Sequence, residues 1–480
     1  MGHTPERLTD VCPIFLSILM KQIIHRKLNE SSLARWTVLF IVSVVMMMGY
    51  VVAKEMSPLQ YFLELPQSQG GLGWNSSEFG LFIGSRGFFN VYLLMLFISG
   101  VILDKTGVRF AGTLSCVLMF VGTAIDYYAI ALASPIPTTE VTFPTLGLDH
   151  TVVKDQVLIS AFGFAVFGIG YELCGITVSK VIVKWFSGKE MALAMGIQVA
   201  LARLGTALAL LGGPFLAKYY QISTPILVGL FSVGAGVIIY LMYCMMDRKL
   251  DKDSDGAKTE EKKPKKFSIR GLLATLRSPG FWLITLLCML YYSALYPFLD
   301  FSTKLMISKY GVSPEWAGGI SSILPFTSII LTPLFGGVYD RVGNGAGIMI
   351  LGTVMLTVVL IVFALPFHFS VLAVALMLIL GVAFSLLPSV LWPAVPKIVP
   401  EEQLGTAYSI IYYIQNIGLM LVPIIIGKVL DDSTVNGEVD YTAAMWVFSF
   451  IGVLAIVVSV FLLFLDKKYH YGLQDANVQE

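Results

Sequence analysis

Long apolar stretches recur along the whole chain and are separated by polar loops. An α-helix rises about 1.5 Å per residue, so a helix of about 20 apolar residues crosses about 30 Å of hydrocarbon. By this criterion the sequence predicts an all-α membrane protein with twelve transmembrane helices. Their approximate positions are 35–56, 78–102, 108–133, 157–182, 190–217, 222–246, 280–303, 314–338, 346–366, 370–396, 405–429 and 442–465.

A polar segment divides these helices into two groups of six. It contains the run DKDSDGAKTEEKKPKK, which has no aromatic residue and is typical of a flexible linker. Two short amphipathic or apolar stretches, Val11–Met20 and FSIRGLLATL after the linker run, predict interfacial helices. The predicted organisation is a cytoplasmic N-terminal segment 1–34, a first bundle 35–246, a linker 247–278, a second bundle 279–465 and a cytoplasmic tail 466–480.

Composition agrees with this class and excludes others. Of the 480 residues, 56% are hydrophobic and 13% are charged, which excludes an ordinary water-soluble globule. The 32 basic and 31 acidic residues nearly balance, so nothing indicates a nucleic-acid partner. Basic residues concentrate in the linker and in loops on its side of the membrane. Because basic loops stay cytoplasmic during insertion, both termini are predicted to be cytoplasmic. We expect a monomer in membrane lipid and leave an accessory subunit open.

A short motif occurs once in each half, directly after the second and the eighth predicted span. It reads GVILDKTG around Asp104, with Arg109 following, and GGVYDRVG around Asp340 and Arg341. Two copies at matching places favour two pseudo-symmetric six-helix bundles. The motif resembles the signature loop of the major facilitator superfamily. That resemblance implies that these four residues gate the cytoplasmic entrance; a tight basic loop that only fixes topology is the alternative.

Two opposite charges fall near the middle of neighbouring spans. A charged side chain at mid-bilayer costs at least about 2.5 kcal/mol, so it must be paired or face a cavity. Glu172 lies about 22 Å from the outer end of the fourth span, and Arg203 about 20 Å from the inner end of the fifth. The alternative is a structural ion pair, which is a poor stabiliser. The favoured hypothesis is a central cavity in which Arg203 binds a carboxylate and Glu172 an ammonium group, which selects a zwitterion.

The strings around these residues resemble the lysosomal dipeptide-transporter branch of the superfamily and its prokaryotic relatives. They are GIGYE ending at Glu172, WFSGKE, ARLG around Arg203, a WP pair at Trp392, and IQNIG with Gln415 and Asn416. The resemblance implies facilitated movement of dipeptides, whose two termini would be held by Glu172 and Arg203. It adds Trp392, Gln415 and Asn416 to the substrate-binding candidates. The acidic dileucine signal of the lysosomal members is not found, which favours a cell or bacterial inner membrane over the lysosome.

Aromatic residues near the predicted cavity would give it apolar walls and allow many peptide side chains. Tyr50 and Tyr292 are the two that we select as substrate-binding candidates. The wider set is Tyr291, Tyr296, Tyr408, Tyr412 and Tyr413.

Further charged residues lie near the ends of spans. Arg86 in the second span is expected either to form an external gate with Asp300 or Asp126, or to extend outward to the interface. Lys54 and Glu55 end the first span and are expected to be interfacial.

The sequence indicates a carrier rather than an enzyme. It has no HExxH, GxSxG or Walker motif, and it predicts no cofactor and no metal. Proton coupling needs a carboxyl group that titrates during the cycle; Glu172 is the candidate, but pairing with Arg203 would keep it ionised. We therefore expect an alternating-access uniporter of dipeptides. The alternatives are a proton-coupled peptide symporter, a carrier of another organic anion, and a non-transporting membrane sensor or scaffold.

Overall fold

The computed structural model describes residues 30–134, 137–186, 190–254, 275–400, 403–435 and 437–476. The predicted interfacial helix at Val11–Met20 lies outside these ranges, and so does nearly all of the one predicted after the linker run. The described part is almost entirely helical, as the apolar pattern predicts.

The helices follow one another in two halves. The first half contains α1 (Ser32–Glu55), α2 (Gln60–Glu64), α3 (Ser76–Ser85), α4 (Phe88–Tyr92), α5 (Met95–Leu132), α6 (Asp155–Phe186), α7 (Met191–Tyr219) and α8 (Thr224–Ser254). The second half contains α9 (Pro279–Tyr310), α10 (Pro314–Val342), α11 (Gly345–Ala364), α12 (Ser370–Ile398), α13 (Leu404–Asp432) and α14 (Thr442–Tyr469). Two short antiparallel hairpins lie in loops, β1 (Thr138–Phe143) with β2 (Leu148–Lys154) and β3 (Thr434–Val435) with β4 (Glu438–Val439).

The predicted second span is divided in the structure. α3 ends at Ser85, α4 covers Phe88–Tyr92, and the remainder opens α5 after Leu94, whose backbone is left-handed with φ 53°. α5 continues into the predicted third span through Gly107, whose φ of 79° suits glycine and bends the chain. Within the described ranges, eleven helices are therefore long and apolar enough to cross a membrane, where the sequence predicts twelve.

α8 and α14 are among the helices that extend past their predicted limits. α8 continues to Ser254, so Asp247, assigned to the linker by the sequence, is a buried residue of the first bundle. Its carboxylate binds Lys184 at 2.9 Å and accepts a hydrogen bond from Tyr243 at 3.0 Å. α14 continues to Tyr469, and beyond it the Leu473 carbonyl accepts a hydrogen bond from Gly345 at the start of α11. In both cases the chain beyond the predicted span is held by contacts within its own bundle.

Two seams join the halves: α7 packs on α10, and α3 packs on α13. Glycines allow the close approach, because a Cβ at Gly318 would collide with the Leu210 carbonyl and one at Gly80 with the Pro423 carbonyl. Small residues at helix contacts are the usual means of close packing in membranes.

Charged contacts between the bundles lie at the end where α1 and α9 finish, which we call the closed end. Lys304 pairs with Glu64 there, and Lys218 pairs with Glu315 at 2.8 Å. Asp431 accepts hydrogen bonds from the first backbone N–H groups of α3. We call the opposite end, where α8 finishes and α9 begins, the linker end. The bundles are therefore held together at the closed end.

Candidate functional site

Arg203 in the middle of α7 reaches across to the second bundle. Its Nη1 donates a hydrogen bond of 2.8 Å to the Tyr296 hydroxyl on α9, and its guanidinium lies 4.1 Å from the centre of the Phe384 ring. Gly205 packs against α1 so closely that a Cβ would collide with the Met47 carbonyl. Residues two apart lie on nearly opposite faces of a helix, so the Gly205 contact turns Arg203 toward the second bundle.

Glu172 on α6 also faces the second bundle. The Arg86 guanidinium and the Asn416 side-chain amide both lie near its carboxylate, and the Asn416 amide donates its hydrogen bond to the Tyr412 carbonyl at 3.0 Å. One turn earlier on the same face, Gly168 packs against the Arg86 backbone so closely that a Cβ would collide with its carbonyl. This contact brings Arg86 beside Glu172. The carboxylate therefore has one charged partner from its own bundle and one amide from the other.

Tyr50 of α1 lies close to both charges. Its hydroxyl is near both Arg203 and Glu172, and its ring packs against Tyr171 at 5.1 Å. Glu172 and Arg203 are both partly exposed, and no N–O distance of 4.0 Å or less joins them in the part of the chain that the structure describes. The structural ion pair, one of the two alternatives from the sequence, is therefore not formed in this conformation.

An aromatic wall of the second bundle faces these charges. It consists of Tyr292, Tyr296, Phe384, Trp392 and Tyr412. Tyr292 and Tyr296 stack at 5.5 Å, and Trp392 stacks on Tyr412 at 5.0 Å. The Trp392 indole donates a hydrogen bond of 3.2 Å to the Tyr292 hydroxyl. Charges from the first bundle and rings from the second thus meet at one inter-bundle site.

Six of the seven predicted substrate-binding residues form two groups by position. Tyr50, Glu172 and Arg203 lie together, and Tyr292, Trp392 and Asn416 lie opposite them on the second bundle. Gln415 differs, because it is buried and its described side-chain contact is a hydrogen bond of 3.6 Å from Cys288 within the second bundle. Adjacent residues on a helix point about 100° apart, so Asn416 can reach Glu172 while Gln415 packs inward.

The gate predicted for Arg86 is corrected by the structure. Asp300 pairs with Lys54 and accepts a hydrogen bond from Ser57, and Asp126 bonds to Ser160 instead. The Arg86 guanidinium lies 5.5 Å from the centre of the Tyr171 ring, inside the site, so it neither bridges to either carboxylate nor extends outward.

Lys54 and Glu55 are likewise not interfacial, being only 3% and 2% exposed. The chain continues beyond α1 as a 3-10 turn, Ser57–Leu59, and α2, which cover the end of the bundle. Hydropathy alone cannot distinguish a charge at a covered helix end from one at the membrane surface.

The motif residues at the linker end contact their own half. Asp104 pairs with the Lys180 ammonium at 2.7 Å, and Arg109 pairs with Asp251 at 2.6 Å. In the second half, Asp340 lies near Lys397, and Arg341 is exposed. Their gating roles concern the conformation in which the linker end closes, and they stay predictions.

Two bundles of membrane helices joined at one end, with a charged and aromatic site between them, are the architecture of a membrane carrier. The model of the Major Facilitator Superfamily matches residues 31–423 and 305–478. The chain belongs to this superfamily and is a multi-pass membrane transporter.

Curated relatives carry a more specific name. The lysosomal dipeptide transporter MFSD1 of Danio rerio is 30% identical over 346 residues, which cover 71% of this chain and 70% of that protein. The protein of the same name from Homo sapiens is 32% identical over 290 residues, covering 56% of this chain and 59% of that protein. This chain therefore spans less than two thirds of the length of the human relative.

Solved structures share the fold at low identity. The nucleoside transporter NupG superposes with a TM-score of 0.66 at 15% identity, over 88% of this chain and 99% of that one. A peptide transporter POT superposes with a TM-score of 0.63 at 16% identity, over 91% and 95%. These similarities concern the fold alone.

Proposed function

We propose that this chain moves dipeptides across a membrane by alternating access, as a uniporter. The observation that carries the proposal is the pair Glu172 and Arg203, two opposite charges that face the second bundle close to Tyr50 without pairing with each other. A peptide with free termini has the complementary charges. Its carboxylate can take both guanidinium N–H groups of Arg203, and its ammonium group can bind the Glu172 carboxylate.

The aromatic wall supports a broad choice of peptide side chains. Its rings offer apolar surface opposite the two charges, and Trp392 and Tyr292 are already satisfied by their mutual hydrogen bond. Binding energy would come from the two termini common to all dipeptides, while the walls discriminate little among side chains. The curated relatives at 30 to 32% identity, named dipeptide transporters, support the same substrate class.

Uniport is proposed on the positive charge beside Glu172. The Arg86 guanidinium favours the ionised carboxylate, which suits a group that binds an ammonium ion, while burial of the carboxylate acts in the opposite direction. A proton-coupled symporter is the rival mechanism. The two predict different responses of peptide flux to a proton gradient across a liposome membrane.

The linker end, with both chain termini, is proposed to face the cytoplasm, as the distribution of basic residues predicts. The relatives are named lysosomal, whereas the sequence favoured a cell or bacterial inner membrane. Imaging of the fluorescently tagged full chain, with protease protection of the tag, separates these compartments and orientations.

The test of function is a thermal-shift screen of the purified protein. A ligand at 100 times its dissociation constant should stabilise the fold by about 2.7 kcal/mol. We expect stabilisation by dipeptides, and its loss when either terminus is blocked by N-acetylation or C-amidation. Flux into liposomes then follows for the peptides that bind, with and without a proton gradient.

Substitutions test which residue binds each terminus of the peptide. Glu172→Gln should abolish binding of dipeptides with a free amino terminus, and Arg203→Gln should abolish binding of those with a free carboxylate. Asp149→Asn, on the exposed β1–β2 hairpin, removes a charge far from the site and serves as control. Carriage of an organic anion that survives Glu172→Gln would instead support an anion carrier. An effect of both site variants on folding alone would support a non-transporting role.

A further inference from the structure

One face of α9 contacts the first bundle at three successive turns. Tyr292, Tyr296, Asp300 and Lys304 follow one another at intervals of four residues and so lie along one stripe. Tyr296 binds Arg203, Asp300 binds Lys54, and Lys304 binds Glu64. The site and the closed end are therefore neighbouring turns of one helix face.

Tyr296 belongs to both regions. Its hydroxyl accepts the Arg203 hydrogen bond at 2.8 Å, while the Lys54 ammonium lies 5.3 Å from the centre of its ring. Lys54 is in turn the partner of Asp300, one turn further along α9. A displacement of Tyr296 would change the surroundings of Arg203 and of Lys54 together.

The Tyr296 hydroxyl accepts a hydrogen bond from an N–H group of Arg203 that a cargo carboxylate would need. A neutral hydroxyl accepts one N–H of Arg203, whereas a carboxylate accepts two in a charge-assisted, bidentate contact that is roughly twice as strong per bond. Because Arg203 has no carboxylate partner among the described residues, the tyrosine is its hydrogen-bonding partner in the empty carrier.

We propose that Tyr296 stands in for the cargo carboxylate in the empty carrier, and that cargo exchanges this inter-bundle hydrogen bond for its own contact to Arg203. Cargo binding thus releases a tie between the bundles directly beside the Lys54–Asp300 pair. Tyr296 is a positioning residue that couples occupancy of the site to opening of the closed end. This inference rests on the proposed function and specifies how the same site responds to its substrate.

The test is Tyr296→Phe, which keeps the ring beside Lys54 and removes only the hydroxyl. In the wild type, cargo must displace that hydroxyl, so the variant should bind dipeptides with a free carboxylate about fivefold more tightly. Binding of C-amidated dipeptides at high concentration should change by less than about twofold, because they bring no carboxylate to Arg203. Isothermal titration of the purified carrier measures both dissociation constants.

A second readout is flux in liposomes. The tie restrains the empty wild-type carrier but not the loaded one, so exchange of peptide for peptide should be faster than net flux. In Tyr296→Phe the empty carrier also lacks the tie, and the ratio of exchange to net flux should fall toward one. Tyr296→Leu provides a second variant without the hydroxyl, for which the same differences are expected.

Tyr291→Phe is the matched control. Tyr291 precedes the stripe on α9 and donates its hydroxyl to the Ala383 carbonyl at 2.6 Å, within the second bundle. Its loss should leave the difference in affinity between free and amidated peptides, and the ratio of exchange to net flux, as in the wild type.

Equal weakening of both peptide classes by Tyr296→Phe would identify an ordinary cargo contact and overturn the inference. No change in either class would do the same. Failure of the wild type to bind any dipeptide would overturn the proposed function, and the assignment of a cargo carboxylate to Arg203 with it.

Discussion

Lys54 of the first bundle and Asp300 of the second form a buried ion pair at the closed end. The side chains are 3% and 5% exposed, and the Ser57 hydroxyl donates to the same carboxylate. Taking two charges out of water costs several kcal/mol each, so such a pair stabilises the fold only while both partners are present. The contact also exists only while the bundles meet at this end, so its energy belongs to this conformation.

Removing one partner should therefore destabilise the closed conformation strongly. Asp300→Asn leaves the Lys54 charge buried without its counter-ion, with an expected loss of about 3–5 kcal/mol. The double variant Lys54→Met with Asp300→Leu leaves no buried charge and should recover most of that loss. Thermal unfolding of the wild type, Lys54→Met, Asp300→Leu and the double variant in detergent completes a double-mutant cycle, and Asp300→Asn is measured beside it.

The more exposed pair Lys218–Glu315 is the control for that cycle. It also joins the bundles at the closed end, at 2.8 Å, but its side chains are 41% and 16% exposed. Glu315→Gln should unfold within error of the wild type, since solvent screens such pairs. Equal losses at Asp300 and Glu315 would contradict a special role for the buried pair.

Close packing of α7 on α10 makes a second prediction about the same conformation. A Cβ at Gly318 would collide with the Leu210 carbonyl, whereas the neighbouring Gly319 would bring it only into ordinary contact, 3.6 Å from the nearest atom. Gly318→Ala should force the helices apart at a cost of about 1–3 kcal/mol. Gly319→Ala should be neutral or slightly stabilising, since alanine favours the helix.

Cross-linking of Lys218→Cys to Glu315→Cys by a short bifunctional thiol reagent reports the same approach of α7 to α10. The ends of the two long side chains meet in the wild type at 2.8 Å, and the reagent spans the gap that the shorter cysteines leave. We expect slower cross-linking in the Gly318→Ala background and an unchanged rate in the Gly319→Ala background. Equal rates in both backgrounds would show that the close approach is not needed for closure.

Some of this architecture can be predicted directly from the sequence, because a charged side chain inside the membrane is costly. Apolar length fixes the spans, and a charge inside a span is rare enough to single out Glu172 and Arg203. The comparisons confirm the superfamily that the repeated motif indicates. The break of the second span is different, since the left-handed backbone at Leu94 leaves no mark on the apolar pattern.

Partners from distant parts of the chain are harder to predict. Lys54 and Asp300 are separated by 246 positions, and each taken alone resembles an interfacial charge at a helix end. The interval of four residues from Tyr292 to Lys304 could have indicated one contact face on α9, but not which first-bundle residues meet it. The choice of Arg86 as the partner of Asp300 was wrong for this reason: sequence gives depth in the membrane, not orientation around a helix.

Asp431 makes a helix-capping contact across the α3–α13 seam. Its carboxylate accepts hydrogen bonds of 2.8 and 2.9 Å from the backbone N–H groups of Ser76 and Ser77, at the positive end of the α3 dipole. Asp431→Ala should cost about 1 kcal/mol in thermal unfolding and weaken closure of the seam. The adjacent exposed Asp432→Ala should unfold like the wild type. A larger effect at Asp432 would contradict the cap.

Glu55 is a buried acid whose two carboxylate oxygens have no hydrogen-bond partner among the residues that the structure describes. Its Oε2 lies against α8, where a Cβ at Gly229 would collide with it. Burying an unpartnered ionised carboxylate is costly, so the neutral, isosteric Glu55→Gln should be as stable as the wild type or more stable. Glu78→Gln is the matched control: Glu78 is also buried, but it binds Lys154 at 2.8 Å and the Asn75 backbone N–H at 3.0 Å, so it should lose about 1–3 kcal/mol. Thermal unfolding of both variants at one pH measures these two changes in stability. A loss at Glu55 as large as that at Glu78 would mean that the Glu55 carboxylate is needed in its charged form.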